Sequence, residues 1–567
     1  MKVASTIIAQ RSKTPLLLEL DLTQGLLEAP PATPIQGLRT RHTPVLRWVV
    51  EALHKAATDD KVAGLVTHLG ERQPTLAQSS ELRGAVDALR RVGKPTVCWA
   101  ETFGEAGPGN VSYHLASAFG EVWLQPSGDV GLTGLVAEAV FVRDALDKLG
   151  VRTQIGQRHE YKTAANMFLE SSMTGPHREM VERLVASAMS TIVAEVASAR
   201  GLSAEAVRDA VDHAPLTADE ALHRRLVDRL GYRDEVYADL RRRLGDVQLR
   251  YVTRYGKGLA GLGRSPPTRL GIGARARPTV AVVQASGGIQ LGRGGGRSPL
   301  SSPSVGSDSL NAALRAAAAD DTIAAVVLRV DSPGGSYVAS DAIRREVISL
   351  RESGKPVVAS MASIAGSGGY YIAMPADAIV ANAGTLTGSI GVLAGKQVIK
   401  DALSRLGVER ESVAVGAYAE MFSSQRPFSD DEWQRLAGWL DRVYADFTTK
   451  AAADRRMPLA ALQSVAKGRV WTGADARDVG LVDEIGGLDR AIDLAANRAG
   501  RRRSEVDVRP FPKLNVLERV RPAESSEHPA AAAARSDLSA SLLSAVYDAL
   551  GLPPLGVLSM PVTWRLS

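Results

Sequence analysis

The sequence predicts an α/β protein built from two tandem copies of one domain, with parallel sheets and crossover helices. Three pairs of segments carry that reading. GKPTVCWA at 93–100 returns as GKPVVASMA at 354–362, DALDKLGV at 144–151 as DALSRLGV at 401–408, and LTADEA…LVDRLG near 216–231 as WTGADA…LVDEIG near 471–486. The offsets are 261, 257 and 255 residues, so constant that only small insertions separate the copies. A chain of 567 residues is also too long for one core, since domains run ~100–200 residues.

Each copy opens with a short apolar run, Leu16–Leu22 and Thr279–Gln284, of the kind that forms a buried strand. A second run follows in each, Val62–Thr67 and Ile323–Val330. After it, Ile343, Val347 and Leu350 recur at one helical face, Gly354-Lys355-Pro356 ends that helix, and Val357–Met361 starts the next strand. Strand and helix in alternation give parallel sheets. The expected division is an N-terminal repeat at 1–258, a linker at 259–277, a C-terminal repeat at 278–515, and a flexible linker with a helical tail at 516–567. Gly292–Ser307, rich in Gly, Ser and Pro, lacks the Gly-Lys-Ser/Thr of a phosphate cradle and reads as a mobile loop. Ala523–Ser541 reads as a linker, and Leu542, Leu543, Val546, Leu550 and Leu555 as an amphipathic docking segment.

Composition narrows the class. The 45% apolar and 23% charged residues are ordinary for a globular protein. Cys98 is the sole cysteine, so no intrachain disulfide forms. Arg241–Arg243 and Arg501–Arg503 read as solvated helix ends, the alternative being attraction to an anionic membrane surface or an acidic partner. Nucleic acid is not expected, because the basic residues are not interleaved with aromatics. The apolar pieces of the N-terminus are broken by Arg11, Lys13 and Pro15. Neither a membrane span of ~18 apolar residues nor a signal peptide is therefore expected. The expected location is cytoplasmic or peripheral to the membrane.

The copies differ in complementary places. In the second, a strand runs into Asp331-Ser332-Pro333-Gly334-Gly335-Ser336, whose glycines present unhindered N–H groups at a sharp turn, as a developing oxyanion requires. At the corresponding place the first copy reads GERQPT, 70–75. The second copy also carries Ser367 within Gly366-Ser367-Gly368-Gly369-Tyr370-Tyr371, and counting back 256 residues puts Val111 at its place. Conversely, Lys162 of the first copy, in Glu160-Tyr161-Lys162-Thr163, pairs with Ala419. One copy keeps the serine and the glycine turn, the other the lysine.

These motifs, with LTGSIGV at 386–392, resemble signal peptide peptidase A (protease IV) in its long, duplicated form. The resemblance covers roughly 16–497. It implies a fold of the Clp-protease/crotonase-like superfamily and a serine endopeptidase that cleaves residual signal peptides and other hydrophobic peptides. It also implies Ser367 as nucleophile, Lys162 as general base, Ser389 as the residue orienting the lysine, and Gly334 or Gly335 with Gly368 as the oxyanion hole. No metal and no cofactor are implied, and the assembly is a homo-oligomer, a tetramer by resemblance. Two departures from the family pattern are Asp331, where Asn is common, and Gly366, where Ala is usual.

The chemistry asks one thing of the lysine. It can take the serine proton only when neutral, so work near neutral pH requires its pKa of ~10.4 to fall by ~3, worth ~4 kcal/mol. Burial supplies such a fall, and an interface between the two repeats would be the dry place. His159, three residues away, is the alternative base. The alternative functions are a crotonase-like acyl-CoA enzyme and a non-catalytic oligomeric scaffold.

Overall fold

The computed structural model describes residues 14–31, 37–38, 40–255, 277–294, 304–512 and 557–560. The linker at 259–277, except for Arg277, lies outside the described residues. So do Ala523–Ser541, the leucines at 542–555, and all of the tail beyond 512 apart from 557–560. The chain divides into two compact units, residues 1–136 with 188–275 and residues 137–187 with 276–566. The division cuts across the repeats, because residues 137–187 of the first copy pack with the second.

The first unit holds a six-stranded parallel sheet. Its strands are β1 (Leu16–Asp21), β2 (Val62–Leu69), β3 (Thr96–Ala100), β4 (Glu121–Leu124), β5 (Arg229–Leu230) and β6 (Gln248–Tyr251), in the order β5-β4-β3-β2-β1-β6. Strand β3 is buried along its whole length, which is why it reads as an unbroken apolar run rather than an alternating one.

The second unit repeats this sheet. Strands β7 (Thr279–Ser286), β8 (Ile323–Ser332), β9 (Gly334–Gly335), β10 (Val357–Gly366), β11 (Ala378–Ala381), β12 (Leu386–Gly388), β13 (Leu393–Val398), β14 (Val470–Thr472), β15 (Glu484–Ile485) and β16 (Asp507–Phe511) follow in the chain. The path β15-β11-β10-β8-β7-β16 matches β5-β4-β3-β2-β1-β6 strand for strand. A smaller correspondence says the same. Lys94 Nζ donates to the carbonyls of Ala56 and Asp59, and Lys355 Nζ to those of Ala317 and Asp320, at one common offset of 261.

Strand β10 has ten residues, longer than its counterpart β3, and it serves two partners. Val358–Met361 pair with β11 and Ile364–Gly366 pair with β12. The switch of partner turns the end of β10, and the serine after it, from β11 towards β12, while Ala365 still pairs with Ser332 of β8. Asp331 steadies this departure, since its carboxylate accepts the N–H of Ile364 (3.2 Å) where the β8–β10 register shifts. An Asn carbonyl could accept the same bond, so the departure at Asp331 leaves the geometry intact. The helix Tyr337–Glu352 buries Ile343, Val347 and Leu350, the face marked by the sequence. The Gly292–Ser307 stretch is less irregular than its composition suggests. Ser304–Gly306 form a strand and a helix begins at Ser307, while 295–303 lie outside the described residues.

Candidate active site

Ser367 stands between β10 and the helix Gly368–Ala373, fully buried, with φ 55° and ψ −113°. That backbone is strained for a residue with a Cβ, and such strain persists only where the surroundings over-determine it. Here its N–H donates to the Gly388 carbonyl (2.8 Å) and its carbonyl accepts from Tyr371 (2.9 Å). Gly388 ends β12, so the strand that pairs with the end of β10 also fixes the serine.

The segment carrying Lys162 is delivered by a strand of its own. Arg152–Gln157 pairs antiparallel with β13, from Leu393↔Gln157 to Val398↔Arg152. Beyond it the chain turns at His159 and enters a short 3-10 turn, Thr163–Ala165, where Ala164, Ala165 and Phe168 are buried. Two glycines let Lys162 come in. A Cβ on Gly468 would stand 2.5–2.6 Å from the Lys162 N, Cα and Cβ atoms, and one on Gly391 would stand 3.0 Å from its Cδ. Lys162 Nζ ends 2.9 Å from Ser367 Oγ, 3.0 Å from Ser389 Oγ and 3.2 Å from the Ser389 carbonyl oxygen. Ser389 itself has φ 52° and is held by its N–H donating to the Arg469 carbonyl (2.7 Å).

The amine is completely buried, and burial alone pushes its pKa from 10.5 down to about 7. A neutral amine in this place accepts from the Ser367 hydroxyl and donates to the Ser389 carbonyl. His159 is elsewhere. Its ring lies 4.3 Å from that of Tyr444, beside Glu160, and it is partly open to solvent. The dry site lies within the second unit, where residues 137–187 of the first repeat, Lys162 among them, pack with Ser367 and Ser389 of the second.

The glycines meet at the same point. Gly334 (φ 103°) and Gly335 (φ 152°) form β9, and a Cβ on Gly334 would stand 2.7 Å from the Gly368 nitrogen. A Cβ on Gly368 would lie 3.1 Å from the Gly335 nitrogen. The N–H of Gly334 turns back to Ser332 Oγ (3.2 Å). The N–H of Gly368 belongs to the first turn of a helix, where the backbone supplies no partner.

The first unit shows the same backbone with the chemistry removed. Gly109 N–H donates to Gly131 (2.6 Å) as Ser367 N–H donates to Gly388, so Gly109 rather than Val111 stands at the nucleophile's place. A count of residues alone misses this because the two copies differ by a residue or two between markers. Gln73 sits where Gly334 sits in the second copy. Its amide oxygen accepts the N–H of Val111 (3.1 Å) and its nitrogen donates to the Pro108 carbonyl, so in the first unit a side chain occupies this turn.

A hydroxyl held against a buried amine, beside paired glycine amides, is the equipment of a serine peptidase. Sequence comparison agrees: the chain belongs to peptidase family S49, matched over residues 88–247 and 349–502. It is 32% identical to "Serine protease SPPA, chloroplastic" of Arabidopsis thaliana over 78% of this chain and 64% of that protein, just under two thirds of its length. It is 32% identical to "Protease 4" of Salmonella typhi over 80% of this chain and 71% of that one. It is 29% identical to "Protease 4" of Haemophilus influenzae over 80% and 73%.

Sequence reasoning missed Gly391 and Gly468, whose signal is only that a glycine stands where another backbone must pass. It also missed an apolar cluster of Met180, Leu184, Val470 and Met560, with Tyr161, Ile364 and Leu386 packed against it, which meets Gly366, the residue before Ser367, through Met560. Gly468→Ala is expected to shift Lys162 and lower kcat by ~100-fold, since ~1 Å of misplacement costs that much. Steady-state kinetics on a quenched peptide checks this; an unchanged kcat would show that the close approach does not set the amine.

A second expectation concerns stability. The unfolded chain keeps the Lys162 proton up to its ordinary 10.5, whereas the folded chain releases it near 7. Between these values the unfolded state binds more protons, so this group makes stability rise with pH, and its cost is greatest at and below pH 7. Each tenfold depression is worth ~1.4 kcal/mol, so the cost reaches a few kcal/mol before hydrogen bonds offset part of it. Lys162→Met is therefore expected to raise Tm at pH 7, with the advantage shrinking towards pH 10. A variant less stable than wild type at pH 7 would contradict the argument.

Proposed function

We propose that the chain is a serine endopeptidase in which Ser367 is the nucleophile, Lys162 the general base and Ser389 the residue that orients the lysine. The observation that carries the reading is the 2.9 Å approach of a fully buried Lys162 Nζ to Ser367 Oγ, with the amine's pKa brought down to about 7. Ser367 Oγ attacks the peptide carbonyl carbon as its proton passes to Lys162. The tetrahedral oxyanion is received by the N–H groups of Gly334 or Gly335 together with that of Gly368; each such donor is worth on the order of 3 kcal/mol. Lys162 returns the proton to the leaving amine, and water then cleaves the acyl-enzyme by the same route.

The proposed fold is a tandem duplication of a Clp-protease/crotonase-like domain, supported by the strand-for-strand match of the two sheets. Its proposed substrates are hydrophobic peptides such as residual signal peptides, supported by the apolar cluster that meets Gly366, the residue before Ser367. The proposed location is the bacterial cytoplasm or the membrane surface. Among the described residues no helix is long and apolar enough to cross a membrane. An acyl-CoA enzyme would leave both the Ser367 hydroxyl and the costly burial of Lys162 without a role.

Hydrolysis of a quenched hydrophobic peptide is expected to rise with pH through about 7 and then level off, because only the neutral amine can accept the proton. Ser367→Ala and Lys162→Ala are expected to abolish it while remaining folded. Full activity in Lys162→Ala would remove the lysine from the mechanism.

We also propose a homo-oligomer. The pairing of Arg152–Gln157 with β13 has a counterpart that the described chain does not make. By the repeat offset of 257, residues 409–414 correspond to Arg152–Gln157 and residues 136–141 to β13. Residues 404–419 are exposed throughout, with Val413 at 100% and Val415 at 96% exposure, and Val136 and Val140 are exposed at 51% and 60%. Apolar side chains on an unpaired extended stretch invite another copy of the chain to add its strand. Val413→Asp with Val415→Asp is expected to yield monomers by light scattering where the wild type is larger, and an unchanged assembly would rule this contact out.

A further inference from the structure

We infer that residues 557–560 of the chain lie in the cleft as a substrate strand would, so that the chain carries its own inhibitor. The inference rests on the peptidase reading and deepens it. Leu558–Ser559, β17, pairs antiparallel with β9, with Gly334↔Ser559 and Gly335↔Leu558. These are the glycines that present their amides beside Ser367. Met560 N–H donates to the Pro333 carbonyl (2.9 Å), and on the far side Leu393 N–H donates to the Val557 carbonyl (3.0 Å). A strand added to an exposed backbone edge, with alternate side chains in pockets, is the usual way a groove takes an extended peptide.

The side chains fit that role. Leu558 and Met560 are wholly buried, and Ser559 between them nearly so. Leu558 joins the core of the unit, while Met560 completes the pocket of Met180, Leu184 and Val470. The fit is close enough to require two glycines. A Cβ on Gly334 would stand 2.0 Å from the Leu558 carbonyl oxygen, and one on Gly366 would stand 2.2 Å from Met560 Sδ. Gly366 immediately precedes Ser367 and departs from the alanine usual in the family, and the space it leaves is the space the thioether fills.

In the sequence Met560 is followed by Pro561, so the peptide bond after the residue that meets Gly366 is a tertiary amide. Its nitrogen is tertiary and belongs to a ring, so it makes a poorly placed leaving group for a site built for ordinary peptide bonds. The segment therefore occupies without being turned over. The same register states a substrate class: an extended peptide with an unbranched apolar residue before the scissile bond, a small residue before that, and leucine before the small one.

Two measurements separate this inference from the peptidase reading. The first is hydrolysis of a quenched peptide containing Val-Leu-Ser-Met-Ala by the full chain, by a chain ending at residue 556, and by full-length Met560→Glu. Because a tethered occupant acts at an effective concentration of ~mM, both variants are expected to show kcat/KM raised by roughly tenfold or more. The second uses Ser367→Ala backgrounds and fluorescence anisotropy of labelled acetyl-Val-Leu-Ser-Met-Pro-Val-Thr. The peptide is expected to bind the chain ending at 556 and full-length Met560→Glu, but not the otherwise unaltered full chain. Discrimination in binding without hydrolysis would uphold the inference and sink the peptidase reading. Equal hydrolysis by all three chains, or a peptide that binds every chain alike or none, would overturn the inference and leave the peptidase reading standing.

Discussion

A lysine can act as a base at neutral pH only if water is kept from it, and that is the constraint the proposed mechanism places on the second unit. Lys162 is fully buried, and its pKa is lowered by burial alone, without help from a neighbouring cation. Several otherwise unconnected features follow. Arg152–Gln157 must pair with β13 to bring the segment in, and Gly468 and Gly391 must lack a Cβ so that it can arrive. Ser389 must adopt a left-handed backbone so that its hydroxyl and its carbonyl both face one amine. Each costs the fold something, and each is explained by one neutral nitrogen beside Ser367.

The first unit shows what the same scaffold does when freed from that requirement. Its sheet has the same order, and its half-buried Lys94, just before β3, makes the same two bonds as Lys355. Yet at the turn where the second unit needs empty space above Gly334, the first has Gln73 bonded to both Val111 and Pro108. Buried amide N–H groups must find partners, and without a ligand to serve them a side chain does so.

Much of this was legible in the sequence because duplication gives an internal control. Repeats at a near-constant offset predict the fold without any other protein, and the complementary loss of SPGG and the serine from one copy and of the lysine from the other directs attention to Ser367 and Lys162, whereas Ser389 was reached only through the family resemblance. What was not legible has one physical character: it depends on which distant backbones approach. Gly468 reads as any turn glycine until Lys162 is seen against it. A one- or two-residue difference between copies was enough to put Val111 where Gly109 belongs. The packing of residues 137–187 with the second unit also escapes a reading by repeats, because strand pairing follows hydrogen-bond edges and not ancestry.

The same logic joins the tail to the amine. The complete burial of Lys162 belongs to a cleft whose glycine edge is already covered by Leu558–Met560. A substrate strand on that edge would exclude water in the same way, and exclusion is the cause of the depressed pKa. On the proposed mechanism a strand laid along β9 shields the cleft beside Ser367 from water, as the tail does at Gly334 and Gly366. A peptide that lays down its backbone there helps keep dry the pair proposed to act on it, Ser367 as the attacking group and Lys162 as its base. Preference for extended, apolar substrates is in this view part of the acid–base chemistry, because the substrate supplies one wall of the dry site.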